Sequence, residues 1–159
     1  MTSSTYSYEE FRRTAAPIYA ALTAIGKAVD DTGLEKSLTE LVKLRVSQIN
    51  GCAFCMQHHL TVARHAGVAA EKIDLLAGWR DAGIFSERER AALGWAESLT
   101  GIAQSHPDAA ALATAQKHFS HDELLFLTVA IGQINMWNRI GAGLHLPPGL
   151  PRKTAGQAA

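Results

Sequence analysis

A chain of 159 residues with 15 basic and 15 acidic side chains carries no formal net charge at neutral pH. That balance argues against a nucleic-acid binder, which needs a basic excess to meet phosphate. The length suits one domain, able to bury roughly 70% of the surface its unfolded form exposes, and a hydrophobic share of 47% is ordinary for a globular fold. The start, Met1 to Tyr8, is polar and lacks an apolar h-region, so no secretory signal is read there. The densest apolar run, Leu124 to Ile131, is too short to span a bilayer. A cytoplasmic address without a membrane partner is expected. In that compartment a CxxC pair is more often catalytic, redox or metal-binding than structural.

In chain order, the first helix is expected over 8–29, bent or broken near Pro17 and opened by Ser7 with Glu10 three residues on. Helices over 35–50, 52–66, 70–78, 87–101, 107–118 and 121–143 follow. Ser86 with Glu89 and Ser120 with Glu123 are two more capping boxes, in which a serine and a glutamate satisfy orphan amides reciprocally. Pro107 reads as a first-turn proline, and Gly67, Gly83 and Gly101 sit where helices could stop. No segment alternates convincingly with period two. The fold class is therefore all-α, a single-domain bundle of about six to seven helices with the CxxC at a helix N-terminus. Its parts are an N-terminal helical segment at 1–34, a core at 35–145 and a Pro-containing tail at 146–159, extended or loose after Pro147. Gln-Ile-Asn occurs at 48–50 and again at 133–135, too short a match to establish a repeat.

The last helix is apolar nearly all round, from Leu125 and Phe126 to Trp137 and Ile140, as expected of a helix buried in a bundle or an oligomer. Gln133, Asn135 and Asn138 interrupt it and need partners. Helix-to-helix hydrogen bonding is the first reading for them, substrate contact the second. On the helix over 35–50 an apolar arc runs through Leu38, Leu41, Val42, Leu44 and Ile49. Arg45 projects from its middle, which requires an ion pair or a subunit contact. Glu40 sits at its edge. From position alone it reads as a surface carboxylate paired with Lys36, with the alternative that it turns toward the next helix.

Both cysteines of the chain lie in Cys52-Ala53-Phe54-Cys55, with His58 and His59 just beyond and Glu40 twelve residues before Cys52. At about 100° per residue, Cys52, Cys55, His59, Val62, Ala63 and Ala66 share one arc, whereas His58 falls about 100° away. Asn50-Gly51 is a turn signal, so the cysteines open the helix. There the free amides and dipole favour a thiolate and can lower a thiol from about 8.5 into the range of roughly 3.5–7.5. A first helical turn also brings residues three apart close to disulfide reach. Two buried hydrophobes that happen to be cysteines is the bland alternative. A c-type haem site fails because Met56 follows Cys55, and a thioredoxin fold lacks its βαβ context. Zinc on Cys52, Cys55 and His59 would need a fourth ligand, and no second CxxC or HxxxH follows. The expected chemistry is thiol–disulfide redox with no metal and no organic cofactor.

Glu40-Leu41-Val42-Lys43-Leu44-Arg45, then Asn50-Gly51-Cys52-Ala53-Phe54-Cys55 and His59, resemble the core of the alkyl hydroperoxidase D / carboxymuconolactone decarboxylase superfamily. The likeness continues through Ala63-Arg64-His65-Ala66-Gly67, Glu89-Arg90-Ala91-Ala92-Leu93 and Asn135-Met136-Trp137-Asn138-Arg139, covering 35–145. It implies an all-helical homo-oligomer, trimer or hexamer. It further implies Cys55 as the peroxidatic thiol, Cys52 as the resolving thiol, His59 as the relay base and Glu40 as its acid partner. The substrate implied is a small-molecule hydroperoxide, and the reductant an external dithiol on a lipoyl- or thioredoxin-like protein, in an antioxidant, peroxiredoxin-type role. The helix dipole alone would make Cys52 the more acidic thiol. A base four residues on and on the same face sides with Cys55. The sequence departs from the family's peroxidases at Phe54, where they carry a histidine directly before the second cysteine. Two alternatives stand beside this reading. One is a cofactor-free lyase acting on a carboxymuconolactone-like ring, which needs acid and base groups but no thiol pair. The other is a non-catalytic, redox-sensing helical oligomer.

Overall fold

The computed structural model describes residues 6–150, and among these there is no β-strand. Eight α-helices follow one another: α1 Tyr8–Thr14, α2 Ala16–Asp30, α3 Lys36–Ile49, α4 Ala53–His65, α5 Ala70–Asp74, α6 Glu87–Thr100, α7 Ala109–His118 and α8 His121–Gly143. The all-α, single-domain reading holds. The count reaches eight because the first expected helix breaks at Ala15, whose φ of −106° and ψ of 35° leave the helical region, with Pro17 in the opening turn of α2. The segment expected at 70–78 ends at Asp74 and resumes as a 3-10 turn, Leu76–Gly78. Of the tail, only 146–150 is described; the rest of it, and residues 1–5 at the polar start, lie outside the described residues.

Side chains at the helix starts explain most boundaries. Ser86 and Ser120 form complete capping boxes with Glu89 and Glu123. Ser7 accepts from the Glu10 amide without the reciprocal bond. Pro107 is not in a first turn: α7 starts at Ala109, and Asp108 caps it by accepting from the Ala110 amide at 2.8 Å. An aspartate offers the acceptor that an N-cap requires and a proline lacks. The stop at Gly67 uses its φ of +78°, whereas Gly101 has an ordinary φ of −78° and the chain runs on into a 3-10 turn.

α3 is the central helix, packed against α4, α6 and α8. Its apolar arc buries Leu38, Leu41, Val42 and Leu44, but burial extends to Thr39, Glu40, Lys43 and Ser47. The surface reading of Glu40 is thereby overturned, although its pairing with Lys36 is present. Ile49 is exposed. Arg45 has the ion pair expected of it, with Glu97 of α6 at 2.8 Å. The same carboxylate accepts from the Trp79 indole and from Arg80. α8 buries Leu127, Ala130, Ile131, Ile134 and Gly141 against the core while Leu125, Val129 and Met136 stay exposed. Its amides bond between helices. Asn50 donates to Asn135 and Asn138, and Asn138 donates to Ser47. The two Gln-Ile-Asn segments thus meet, through a hydrogen bond between their asparagines. Gln133 donates to the Leu22 carbonyl of α2 at 3.0 Å.

Candidate active site

The site begins with how α3 ends. Gly51 takes a φ of +65°, its amide bonds to Gln48 O, and the Cys52 amide bonds to Ser47 O. That is a Schellman turn, in which glycine supplies the left-handed residue. It reverses the chain so that Cys52 becomes the N-cap of α4 and Cys55 falls in its first turn. The Cys52 and Cys55 sulfurs are bonded to each other, with Cα atoms 5.3 Å apart. Cys52 Sγ also accepts from the Cys55 amide at 3.2 Å, doing the work of a capping oxygen. Cys55 Sγ lies 3.7 Å from the Trp137 carbonyl of α8. The backbone of α8 can come this close because residue 141 is glycine. A Cβ there would stand 2.8 Å from Cys52 Sγ and 3.1 Å from Cys55 Sγ.

Glu40 reaches the site from α3 and is 1% exposed. Its Oε2 lies 2.7 Å from His59 Nδ1, and its Oε1 accepts from both Lys43 and Lys36 at 3.0 Å. Burial alone would raise its pKa. The hydrogen bond and charge of His59, with Lys43 and Lys36 behind them, overcome that and hold it far below the usual carboxylate range. An ionised carboxylate can only accept, so the His59 proton sits on Nδ1 and the other ring nitrogen, Nε2, is left for proton transfer. Lys36 is itself held by both oxygens of Asp30.

A cavity of about 310 Å³ takes in Cys55, His59, Glu40, Lys43 and Lys36. Cys52 is not among its lining residues; it is 1% exposed and lies behind its partner. Three of the four residues singled out in the sequence therefore share one chamber, and the fourth is bonded to one of them. Several contributors were not legible beforehand. Lys43 was not singled out in the sequence, and burial round most of α3 turns it inward. The aromatic wall formed by Tyr8, Tyr19, Phe54 and Trp137 comes from four separate helices, so no local pattern announces it. His58 also borders the cavity, its ring edge-on to His59 at 4.9 Å between centroids. Among the described residues, no group of three or more His, Cys, Asp or Glu side chains could hold a metal ion.

Comparison with known proteins places this architecture. The sequence pattern of the carboxymuconolactone decarboxylase family matches residues 16–98. The uncharacterised protein YdfG of Bacillus subtilis is 33% identical over 118 residues, covering 74% of this chain and 80% of that protein. A crystal structure of an Agrobacterium tumefaciens protein of unknown function, provisionally described as an antioxidant defence protein AhpD, superposes with a TM-score of 0.85 at 38% identity. That match covers 89% of this chain and 97% of the other. The alkyl hydroperoxide reductase AhpD of Rhizorhabdus wittichii is 43% identical over 49 residues, a stretch that spans 31% of this chain and only 28% of that enzyme. The chain belongs to the carboxymuconolactone decarboxylase family, on its AhpD-like side.

Proposed function

We propose that this protein is a thiol-dependent hydroperoxide reductase working through Cys55, Cys52, His59 and Glu40. One observation supports this most. The bonded Cys52–Cys55 pair sits at the start of α4, and of its two residues Cys55 lines the chamber that also receives the Glu40–His59 pair. In the reduced protein, the Cys55 thiolate attacks the terminal oxygen of RO–OH and the O–O bond breaks. Cys55 becomes a sulfenic acid, and the alkoxide leaves as ROH with a proton from His59. Glu40, kept ionised by its lysines, holds the His59 tautomer and stabilises the imidazolium that forms before the proton is given up. The Cys52 sulfur then attacks Cys55 Sγ, the hydroxyl leaves as water, and the disulfide forms. An external dithiol, on a lipoyl- or thioredoxin-like partner, returns two electrons and two protons to the pair. The residues supply all the acid, base and nucleophile this cycle needs without a metal or organic cofactor. Within this reading the protein is a homo-oligomer, trimer or hexamer, acting in the cytoplasm.

The decisive experiment adds one equivalent of an organic hydroperoxide to the reduced protein and follows it by mass spectrometry. The expected result is a loss of two protons that joins Cys52 to Cys55, with catalytic turnover when a dithiol is present and none in Cys55→Ser. Reduced protein that leaves the hydroperoxide intact would overturn the reading. A lyase acting on a lactone ring is the second reading, favoured by the buried Glu40–His59 pair, which could move protons without sulfur. The same variant separates the two, because a lyase would keep its turnover in Cys55→Ser.

A further inference from the structure

We infer that the chamber over Cys55 is built for an organic hydroperoxide whose carbon skeleton carries an uncharged aryl group, with Phe54 and Tyr8 as specificity-determining side chains. The inference rests on the peroxidase reading for what reacts, and on the chamber's walls alone for what binds. Size is the first argument. At about 310 Å³ the chamber holds roughly ten times the liquid volume of a water molecule, about 30 Å³, and falls at the small end of pockets that enclose organic ligands. Hydrogen peroxide would leave most of it to water.

The second argument is its mixed lining. The lining combines Cys55, His59, Glu40 and Lys43 with the rings of Tyr8, Tyr19, Phe54 and Trp137. Tyr8 and Phe54 lie 4.9 Å apart between centroids, and Tyr19 meets Trp137 at 6.1 Å and 77°. A wall of tilted and edge-on rings rewards an aromatic guest beyond what buried area alone gives. The two phenols bond to each other at 3.1 Å, one donating and the other accepting. Burial and that hydrogen bond push Tyr8 up to about 12.

The charges in the lining argue against an anionic skeleton, because its lysines are already paired. Lys43 is paired with Glu40, Lys36 with Asp30 and Glu40, and Lys27 with Asp31. The third argument is where the rings come from. Phe54 stands at the position directly before Cys55, and Tyr8 comes from α1, outside the span 16–98 that matches the family. None of the residues of α1 is buried. Its Tyr8 and Phe11 lie on Phe54, Tyr19 and Trp137, so the helix sits over the chamber rather than in the core.

The test measures binding apart from chemistry. Calorimetric titration of the oxidised, full-length protein with 2-phenyl-2-propanol, the alcohol left by cumene hydroperoxide, should give an affinity at least about tenfold above that for tert-butanol. Phe54→Leu keeps an apolar side chain but removes the ring, and Tyr8→Leu does the same on a helix none of whose residues is fully buried. Each should cut that preference several-fold, and with it the ratio of kcat/KM for cumene hydroperoxide over hydrogen peroxide. Equal binding of the two alcohols, binding of neither, or an undiminished preference in both variants would overturn the inference. Ring-dependent binding without any peroxide consumption would leave the aryl site standing and remove the peroxidase reading instead.

Discussion

Glu40 shows how much one buried residue can ask of its neighbours. A carboxylate 1% exposed is costly unless it is paired and fully hydrogen-bonded. Here His59, Lys43 and Lys36 converge on it, and its pKa lies far below the ordinary value. Linkage then fixes a sign. The unfolded chain, with a glutamate near 4.3, binds more protons in acid than the folded chain does, so stability rises with pH across that range. The contribution of Glu40 is complete above the unfolded value and is lost progressively as pH falls below it toward the depressed folded one. Thermal melts at pH 6 and pH 3 should therefore show a steeper acid loss for the wild type than for Glu40→Gln, which has no proton to take up. Parallel losses in the two proteins would mean that Glu40 is not the ionised hub. Lys43 belongs to the same argument. The sequence placed it beside Glu40 but gave no reason to bury it, because a lysine in an amphipathic pattern reads as a solvated face.

At the scale of elements, the approach of α8 to the start of α4 decides whether the sulfurs can sit where they do. Gly141 leaves no room for a Cβ: it would fall 2.8 Å from Cys52 Sγ, closer than real packing allows. Gly141→Ala should cost about 1–3 kcal/mol through overpacking, read as a lower denaturant midpoint in the oxidised protein. Gly94→Ala, on α6, is the control. Its new Cβ meets only Trp79 at an ordinary 3.9 Å, and alanine's better helix propensity works in its favour. Equal effects of the two changes would remove the packing argument. Elements with a local cause were legible in advance: the capped starts of α6 and α8, the turn at Asn50-Gly51, and the shared face of Cys55 and His59. What joins distant segments was not. Arg88 ties Glu35, before α3, to Glu123 at the start of α8 and bonds the His118 carbonyl of α7. Nothing near it in sequence foretells those partners. The Gly141 contact is equally silent, because a helix apolar nearly all round does not say which neighbour position 141 must clear.

For the whole molecule, the question is what covers the outer side of α8. This helix is apolar nearly all round, and the chain's own core takes only part of it. Leu125, Val129 and Met136 remain 53%, 50% and 41% exposed, and Ile102 beside them 55%. The three on α8 recur at four and seven residues, with Gly132 between Val129 and Met136, so they form one stripe on which a facing helix could pack closely. Met136 and Ile102, with Leu99, Thr128 and Ile131, border a shallow, mostly apolar groove at one end of the stripe. The proposed homo-oligomer would bury this stripe against its copies, and the far side of the same helix would carry Trp137 and Gly141 to the thiol chamber. Sedimentation velocity should therefore find a trimer or larger assembly for the wild type. Val129→Asp should shift it to monomer by placing a charge in the buried stripe. A wild type that sediments as a monomer, or a Val129→Asp variant that assembles normally, would show that α8 is not the interface. Because α8 reaches both surfaces, the dissociated variant should also consume hydroperoxide more slowly, although position 129 is not among the residues lining the chamber.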